Sequence, residues 1–143
     1  MSTPAGQRIG MVLKRAEQAM LRAKSAALKP AGLTLAQYVA LAELDQQPGI
    51  TGAALARASL VTPQAMMVVL KSLEEQGLIV RSPHPRHPIV LELHITDAGR
   101  EVLDAARHHV EPVERRVTDA FSPGELQALA ALLTRWTEAL DGD

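Results

Sequence analysis

The feature that most constrains the fold is an ordered series of helix signals between residues 33 and 96. Three threonines, Thr34, Thr51 and Thr62, each precede a helix-patterned stretch. A threonine at such a position caps a helix, because its side-chain oxygen accepts a hydrogen bond from an unpaired N–H of the first turn. Gly77 ends the last of these stretches, and two short β-patterned stretches follow. The order of three helices and a β-hairpin predicts a winged helix-turn-helix.

Long amphipathic patterns lie on both sides of this segment. Apolar residues recur there every three or four positions, which indicates helices with one apolar face. Those faces exceed what a winged helix needs for its own core, so we expect them to pack against each other and against a second chain. The prediction is a mainly α protein with a small β-wing, in which a winged helix-turn-helix at 34–96 is flanked by dimerisation helices at 1–33 and 97–143.

Charge is distributed unevenly along the chain. Residues 1–33 hold six Lys or Arg and one Glu, whereas residues 96–143 hold five Arg and ten Asp or Glu. A basic N-terminal helix can therefore pair with acidic C-terminal helices, within one chain or between two. Contact between the basic helix and nucleic acid is the alternative.

The positions of the prolines support two further predictions. The chain between the strands at 78–81 and 90–95 contains three prolines, which fix φ and lack a backbone donor. They predict an extended, stiff loop rather than a tight, paired turn. Pro112 falls inside the pattern of the fifth helix, where we expect it to kink or divide that helix.

The composition excludes several kinds of site. The chain has no cysteine, so it has no disulfide, thiolate metal site or cysteine redox chemistry. We expect no metal, because His84 and His87 lack a third ligand and the adjacent His108 and His109 point about 100° apart on a helix. No catalytic motif is present, so we expect neither an enzyme nor a cofactor. Without a run of ~20 apolar residues or a signal peptide, we expect a cytoplasmic protein with no membrane partner.

The fourth helix carries the candidate recognition residues. Ala65, Val69, Leu70 and Leu73 should face inward and Gln64, Met67, Val68 and Lys71 outward. The second helix of a helix-turn-helix lies in the major groove of double-stranded DNA, where a glutamine suits adenine and apolar side chains suit thymine methyl groups. Met67 and Val68 can instead fill a helix–helix contact. The candidate DNA-contacting residues are Thr51, Thr62, Pro63, Gln64, Met67, Val68, Lys71, Arg81, His84, Arg86 and His87.

Residues 33–99 resemble the MarR family of bacterial transcriptional regulators. The matching segments include Val-Thr-Pro-Gln-Ala-Met (61–66), Leu-Glu-Glu-Gln-Gly-Leu-Ile-Val-Arg (73–81) and Leu-His-Ile-Thr-Asp-Ala-Gly-Arg (93–100). The resemblance implies a homodimer that binds a pseudo-palindromic operator, usually as a repressor that a small ligand releases. It also implies Asp-Arg-Arg at the wing tip, where this chain has His87, Pro88 and Ile89, with Arg86 beside them.

The resemblance further implies an effector pocket where the dimerisation helices meet the winged helix. Arg15, Tyr38 and His109 are the candidate polar residues of that pocket, and a cation with a phenol would suit an aromatic acid or a phenolic effector. Tyr38 can equally belong to the core and Arg15 to the surface. Two other functions stay open: a winged-helix protein-interaction module that has lost DNA binding, and a small-molecule-binding protein without an operator.

Overall fold

The computed structural model describes residues 5–142, except for the side chains of residues 6 and 7. In that range the chain forms mostly helices, with one two-stranded antiparallel sheet. The elements are α1 (Ala5–Leu28), α2 (Leu35–Gln46), α3 (Gly52–Ala58), α4 (Pro63–Glu75), β1 (Ile79–Pro83), β2 (Leu91–Ile95), α5 (Asp97–Ala120) and α6 (Pro123–Asp141), with a 3-10 turn (Lys29–Ala31) after α1. This order confirms the predicted fold class, a mainly α chain with a winged helix-turn-helix.

The chain divides into two compact units, Met1–Val110 and Glu111–Asp143. The first unit holds α1 to α4, the wing and the first part of α5, and the second holds α6. Pro112 lies inside α5, which continues as a single helix to Ala120, so the expected division of the helix at this proline is wrong. A kink at Pro112 and the boundaries at 34–96 stay predictions.

Threonine caps fix where the helices of the winged unit begin. The Thr34 hydroxyl accepts from the backbone N–H of Gln37, and the Gln37 side chain accepts from the backbone N–H of Thr34, at 3.1 and 2.9 Å. The hydroxyl groups of Thr51 and Thr62 cap α3 and α4 by accepting from the backbone N–H groups of Ala54 and Ala65, without a reciprocal side-chain bond. The three predicted caps are therefore confirmed, and each satisfies a donor that has no partner inside its own helix.

The core of the first unit lies between α1, α2, α3, α4, α5 and the sheet. Its largest fully buried side chains are leucines, with Ile79 from the sheet. Gln37 is a buried polar residue in this unit, and its amide donates to the Ser72 hydroxyl at 2.9 Å. Because that amide has a partner, the α2–α4 contact carries no unsatisfied polar group at this point.

The buried face of α4 differs from the predicted one. Met66, Leu70 and Leu73 are buried, whereas Ala65 is exposed and Val69 is half-buried. The inward placement of Ala65 was therefore wrong. Positions 66, 70 and 73 follow the four- and three-residue spacing of one helical stripe, and residue 65 lies about 100° away from that stripe.

The loop of the wing is closed rather than extended. The strands pair from Ile79 with Ile95 to Pro83 with Leu91, and the His84 N–H continues this ladder by donating to the Val90 carbonyl at 2.8 Å. The prediction of an extended, unpaired loop was wrong. The bonds use N–H groups of residues 84, 86, 87 and 90, so the prolines between them occupy positions where no donor is needed.

Gly99 places the start of α5 directly on the base of the wing. A Cβ atom there would lie 2.2 Å from the Leu78 carbonyl oxygen and 2.7 Å from Cγ1 of Ile95. The same carbonyl accepts from the Thr96 N–H at 3.0 Å, and the Thr96 hydroxyl donates to the Gly77 carbonyl at 2.7 Å. Only a residue without a side chain allows this approach.

Candidate nucleic-acid interface

The outward face of α4 is presented to solvent. Gln64 and Lys71 are exposed, and the apolar Met67 and Val68 are 66% and 72% exposed. Nothing within residues 5–142 covers these two side chains, so the alternative of a helix–helix contact has no counterpart within the described chain. An exposed apolar pair flanked by an amide and an ammonium group is suited to the major groove of DNA. That groove presents hydrogen-bonding base edges together with thymine methyl groups.

The turn between α3 and α4 fixes the orientation of this outward face of α4. Pro63 occupies the first position of α4, where its missing N–H has no intrahelical role, and Thr62 caps the helix. Leu60 has a left-handed backbone, with φ 57°, and its side chain is 92% exposed. The turn is held by the Val61 N–H, which donates to the Ala56 carbonyl at 3.1 Å. The geometry of the turn is thus fixed by backbone contacts at the expense of strain at Leu60.

Arg86 and His87 project from a braced turn at the wing tip. The Nδ1 atom of His84 accepts from the backbone N–H groups of Arg86 and His87, at 3.0 and 3.2 Å. The side chains of Arg86 and His87 are exposed, whereas His84 is half-buried. His84 therefore shapes the turn, while Arg86 and His87 are the side chains free to meet a ligand. Beside them Ile89 is 96% exposed.

A carboxylate lies between two histidines at the centre of the wing. Glu92 Oε1 is 3.6 Å from His84 Nε2, and Glu92 Oε2 is 3.5 Å from His94 Nε2. Despite this cluster, the described residues contain no group of three or more His, Asp or Glu side chains that could hold a metal ion. The contacts instead tie the tip of the wing to its second strand.

Arg81 is already engaged by a carboxylate. Its Nε atom donates to Glu74 Oε2 at 2.7 Å, which links β1 to α4. A phosphate would have to compete with Glu74 for this guanidinium. The candidate interface is therefore only weakly basic: Lys71 and Arg86 are exposed cations, the exposed Arg81 is paired with Glu74, and Thr51 is engaged as a helix cap.

The candidate effector residues occupy different surroundings. Arg15 and His109 are exposed, and Tyr38 is half-buried against the hydrophobic core. None of the three lines an apolar cavity that lies behind α4.

Two features of the winged unit had no signal in the sequence. Asp45 on α2 faces α5, where its carboxylate lies 3.6 Å from Arg100 Nε and 3.2 Å from Arg107 Nη2. The apolar cavity behind α4 is the other, and it includes Met66, which periodicity had left off the inner face. Both depend on contacts between residues that are distant in the chain.

Within residues 5–142 no single helix is long and apolar enough to span a membrane. One bent pair, Gly52–Ala58 with Pro63–Glu75, meets the requirement by length and composition alone.

Known proteins show both the sequence pattern and the fold. A MarR family model matches residues 31–87. The HTH-type transcriptional repressor Rv2887 of Mycobacterium tuberculosis is 38% identical over 109 residues, which cover 76% of this chain and 78% of the repressor.

Two solved structures extend this likeness. Rv2887 in complex with p-aminosalicylic acid matches with a TM-score of 0.70 at 34% identity, covering 90% of this chain and 97% of that one. The repressor CouR of Rhodococcus jostii RHA1, bound to a 23-mer DNA duplex, matches with a TM-score of 0.82 at 29% identity, covering 90% and 91% of the two chains. From its capped recognition helix to its wing, this chain belongs to the MarR family of HTH-type transcriptional regulators.

Proposed function

We propose that the protein is a sequence-specific, DNA-binding transcriptional repressor. The observation that carries this proposal is the outward face of α4, which begins at a capped turn and leaves Gln64, Met67, Val68 and Lys71 exposed. The related CouR is a transcriptional repressor with a structure on a DNA duplex. In this chain Gln64 would contact a base edge, Met67 and Val68 thymine methyl groups, and Lys71 a phosphate.

The protein would act as a homodimer. No side chain of α6 is buried in the single chain, and α1 exposes Ile9, Met11 and Val12 at 51%, 49% and 61%. Apolar faces of this extent are normally covered by a second protein surface. The opposite charges of the N-terminal and C-terminal regions favour contact between them across two copies. A two-fold dimer would present two copies of α4 to an inverted repeat.

A small aromatic acid or phenol would release the repressor from DNA. The complex of Rv2887 with p-aminosalicylic acid supports this class of effector. Arg15, Tyr38 and His109 remain the proposed contacts, with the second chain completing their pocket. In line with this role, we expect a cytoplasmic protein without enzyme activity or a cofactor.

The test is selection of random duplex DNA by the purified protein at ~0.1 M salt, where the screening length is about 10 Å. The expected result is an inverted repeat with half-sites about 10 base pairs apart. Replacing Gln64 and Lys71 by alanine should abolish binding and leave the dimer intact. Replacing Gln46, which is also exposed but lies outside α4 and outside the basic N-terminal region, serves as the control. A folded dimer that enriches no sequence would contradict the proposal.

A protein-interaction module is the second candidate. The apolar Met67 and Val68, the pairing of Arg81 with Glu74 and the missing arginine at residues 87–89 favour it. Under this alternative no duplex would be enriched, whereas exchanging Met67 for a charged residue would disrupt a protein complex.

A further inference from the structure

The side chain of His84 takes part in closing the tip of the wing. Its Nδ1 atom accepts from the backbone N–H groups of Arg86 and His87, at 3.0 and 3.2 Å. Two backbone bonds complete the closure, because the His84 N–H donates to the Val90 carbonyl and the Val90 N–H donates to the His87 carbonyl, both at 2.8 Å. The imidazole ring therefore accepts two of these four hydrogen bonds that hold residues 84–90 together.

The two bonds to the ring are compatible with only one protonation state of Nδ1. A ring nitrogen that accepts a hydrogen bond carries no proton, so the neutral His84 ring carries its proton on Nε2. The Nε2 atom lies 3.6 Å from Oε1 of Glu92. The imidazolium ion has an N–H group at both positions, and its Nδ1–H would face two backbone N–H donors. Protonation of His84 therefore breaks both of its bonds to the tip.

The surroundings of the ring on the side of β2 are acidic. Glu92 lies against His84, and its other carboxylate oxygen lies 3.5 Å from Nε2 of His94. The stretch 49–51, which runs along the other edge of β2, contributes no charged side chain. The His84 side chain is 33% exposed, so water can deliver a proton to it. The charge of Glu92 would attract a protonated ring towards β2.

The surroundings of the ring on the side of the tip are basic. The centroid of the His87 ring lies 5.3 Å from that of His84, and Arg86 is the residue between Pro85 and His87. Both Arg86 and a protonated His87 would repel an imidazolium ion at residue 84. Attraction by Glu92 and repulsion by the tip therefore act in the same direction, and both draw a protonated ring away from Arg86 and His87.

We propose that the wing tip is a pH-sensitive clasp, closed while His84 is neutral and open when its imidazole ring is protonated. Histidine side chains ordinarily change charge between about pH 5 and 8. Because the bonds to the tip form only with the neutral ring, the clasp is closed at the alkaline end of this range and opens as the pH falls. Opening releases the backbone that positions Arg86. An effect on DNA binding rests on the proposed function, whereas the opening of the tip does not.

The test is an NMR titration of the purified protein between about pH 8 and 5. At the alkaline end, the imidazole nitrogen signals of His84 should show a proton on Nε2 and none on Nδ1. As the ring takes up a second proton, the amide protons of Arg86 and His87 should lose their hydrogen-bonded chemical shifts. The midpoint of that change should coincide with the midpoint of the His84 ring.

His84→Asn separates the hydrogen bonds from the titration. An asparagine side-chain oxygen accepts from the N–H two residues further on, and a following proline, here Pro85, favours that turn. Asparagine does not titrate, so the tip of this variant should stay closed over the whole range, whereas His84→Ala should be open throughout. His87→Asn is the matched control, because it removes the neighbouring histidine and should keep the response of the Arg86 amide.

Duplex binding at the two ends of the range gives the functional readout. The parent and His84→Asn should bind a selected duplex equally at the alkaline end. At the acid end the parent should bind about five-fold or more weakly than His84→Asn, because closing the tip then opposes binding by about the contribution of one hydrogen bond. Tighter binding by the parent at the acid end would overturn the effect on DNA, since the added charge would then outweigh the opening.

The two readouts separate this inference from the proposed function. If the amides of Arg86 and His87 follow the His84 ring and no duplex is bound at any pH, the clasp stands and the proposed function fails. If a duplex is bound but those amides do not follow the ring, the clasp is overturned. A response of His84→Asn equal to that of the parent would overturn it as well.

Discussion

Replacing Gly99 by alanine should move α5 away from the base of the wing. The added Cβ would lie 2.2 Å from the Leu78 carbonyl oxygen, and 2.7 Å from a carbon of Ile95. The carbonyl cannot rotate aside without weakening its hydrogen bond from the Thr96 N–H, which is 3.0 Å long. The contact therefore has to be relieved by a shift of backbone.

The expected cost follows from this geometry. A carbon–oxygen contact needs roughly 1 Å more than the 2.2 Å available, and forcing extra volume into a packed site costs about 1–3 kcal/mol. The gain in helix propensity from glycine to alanine offsets at most about 1 kcal/mol of this. For a domain of this size, the remaining loss lowers the melting temperature by on the order of 5 °C.

Thermal unfolding at a fixed protein concentration would measure this effect, since a dimer's melting temperature depends on concentration. Gly10→Ala is the matched control, because Gly10 also lies inside a helix and an added Cβ there meets nothing within 4 Å. That variant should be unchanged or more stable by up to about 1 kcal/mol. The reasoning would be refuted if Gly99→Ala melted at or above the parent temperature.

Three further predictions concern the turn, the wing and the α2–α5 contact. Leu60→Gly should stabilise the fold by up to about 1 kcal/mol in chemical denaturation. Glycine relieves the strain of the left-handed backbone at this position, and the leucine side chain that is lost is 92% exposed. A loss of stability would show that the leucine makes a contact in the dimer. His84→Ala should open the wing turn, measured as faster amide exchange at residues 86 and 87, and should weaken duplex binding. His87→Ala keeps both bonds and should leave that exchange unchanged, so equal exchange in the two variants would contradict the assigned brace. Asp45→Ala should cost less than about 1 kcal/mol in chemical denaturation, because its two arginine partners are substantially exposed; a loss of several kcal/mol would be inconsistent with a solvent-screened pair.

Local signals in the sequence determined most of the secondary structure. The caps at Thr34, Thr51 and Thr62 and the stop at Gly77 depend on groups only a few residues apart. Such interactions need only neighbours in the chain, so their order along the sequence predicted a winged helix-turn-helix. The outward positions of Met67 and Val68 followed from helical periodicity for the same reason.

Tertiary contacts decided the details that matter for the site. Whether residue 65 or Met66 faces inward depends on how α4 rotates against α2 and α3, and a difference of one residue is about 100° of rotation. The closed wing depends on His84 reaching two N–H groups, and the Gly99 contact on a carbonyl of another element. Periodicity and capping carry no information about distances between remote residues. Neighbouring residues therefore specify which elements form and in what order, whereas the rotation of α4, the closure of the wing and the position of the cavity depend on packing between remote residues.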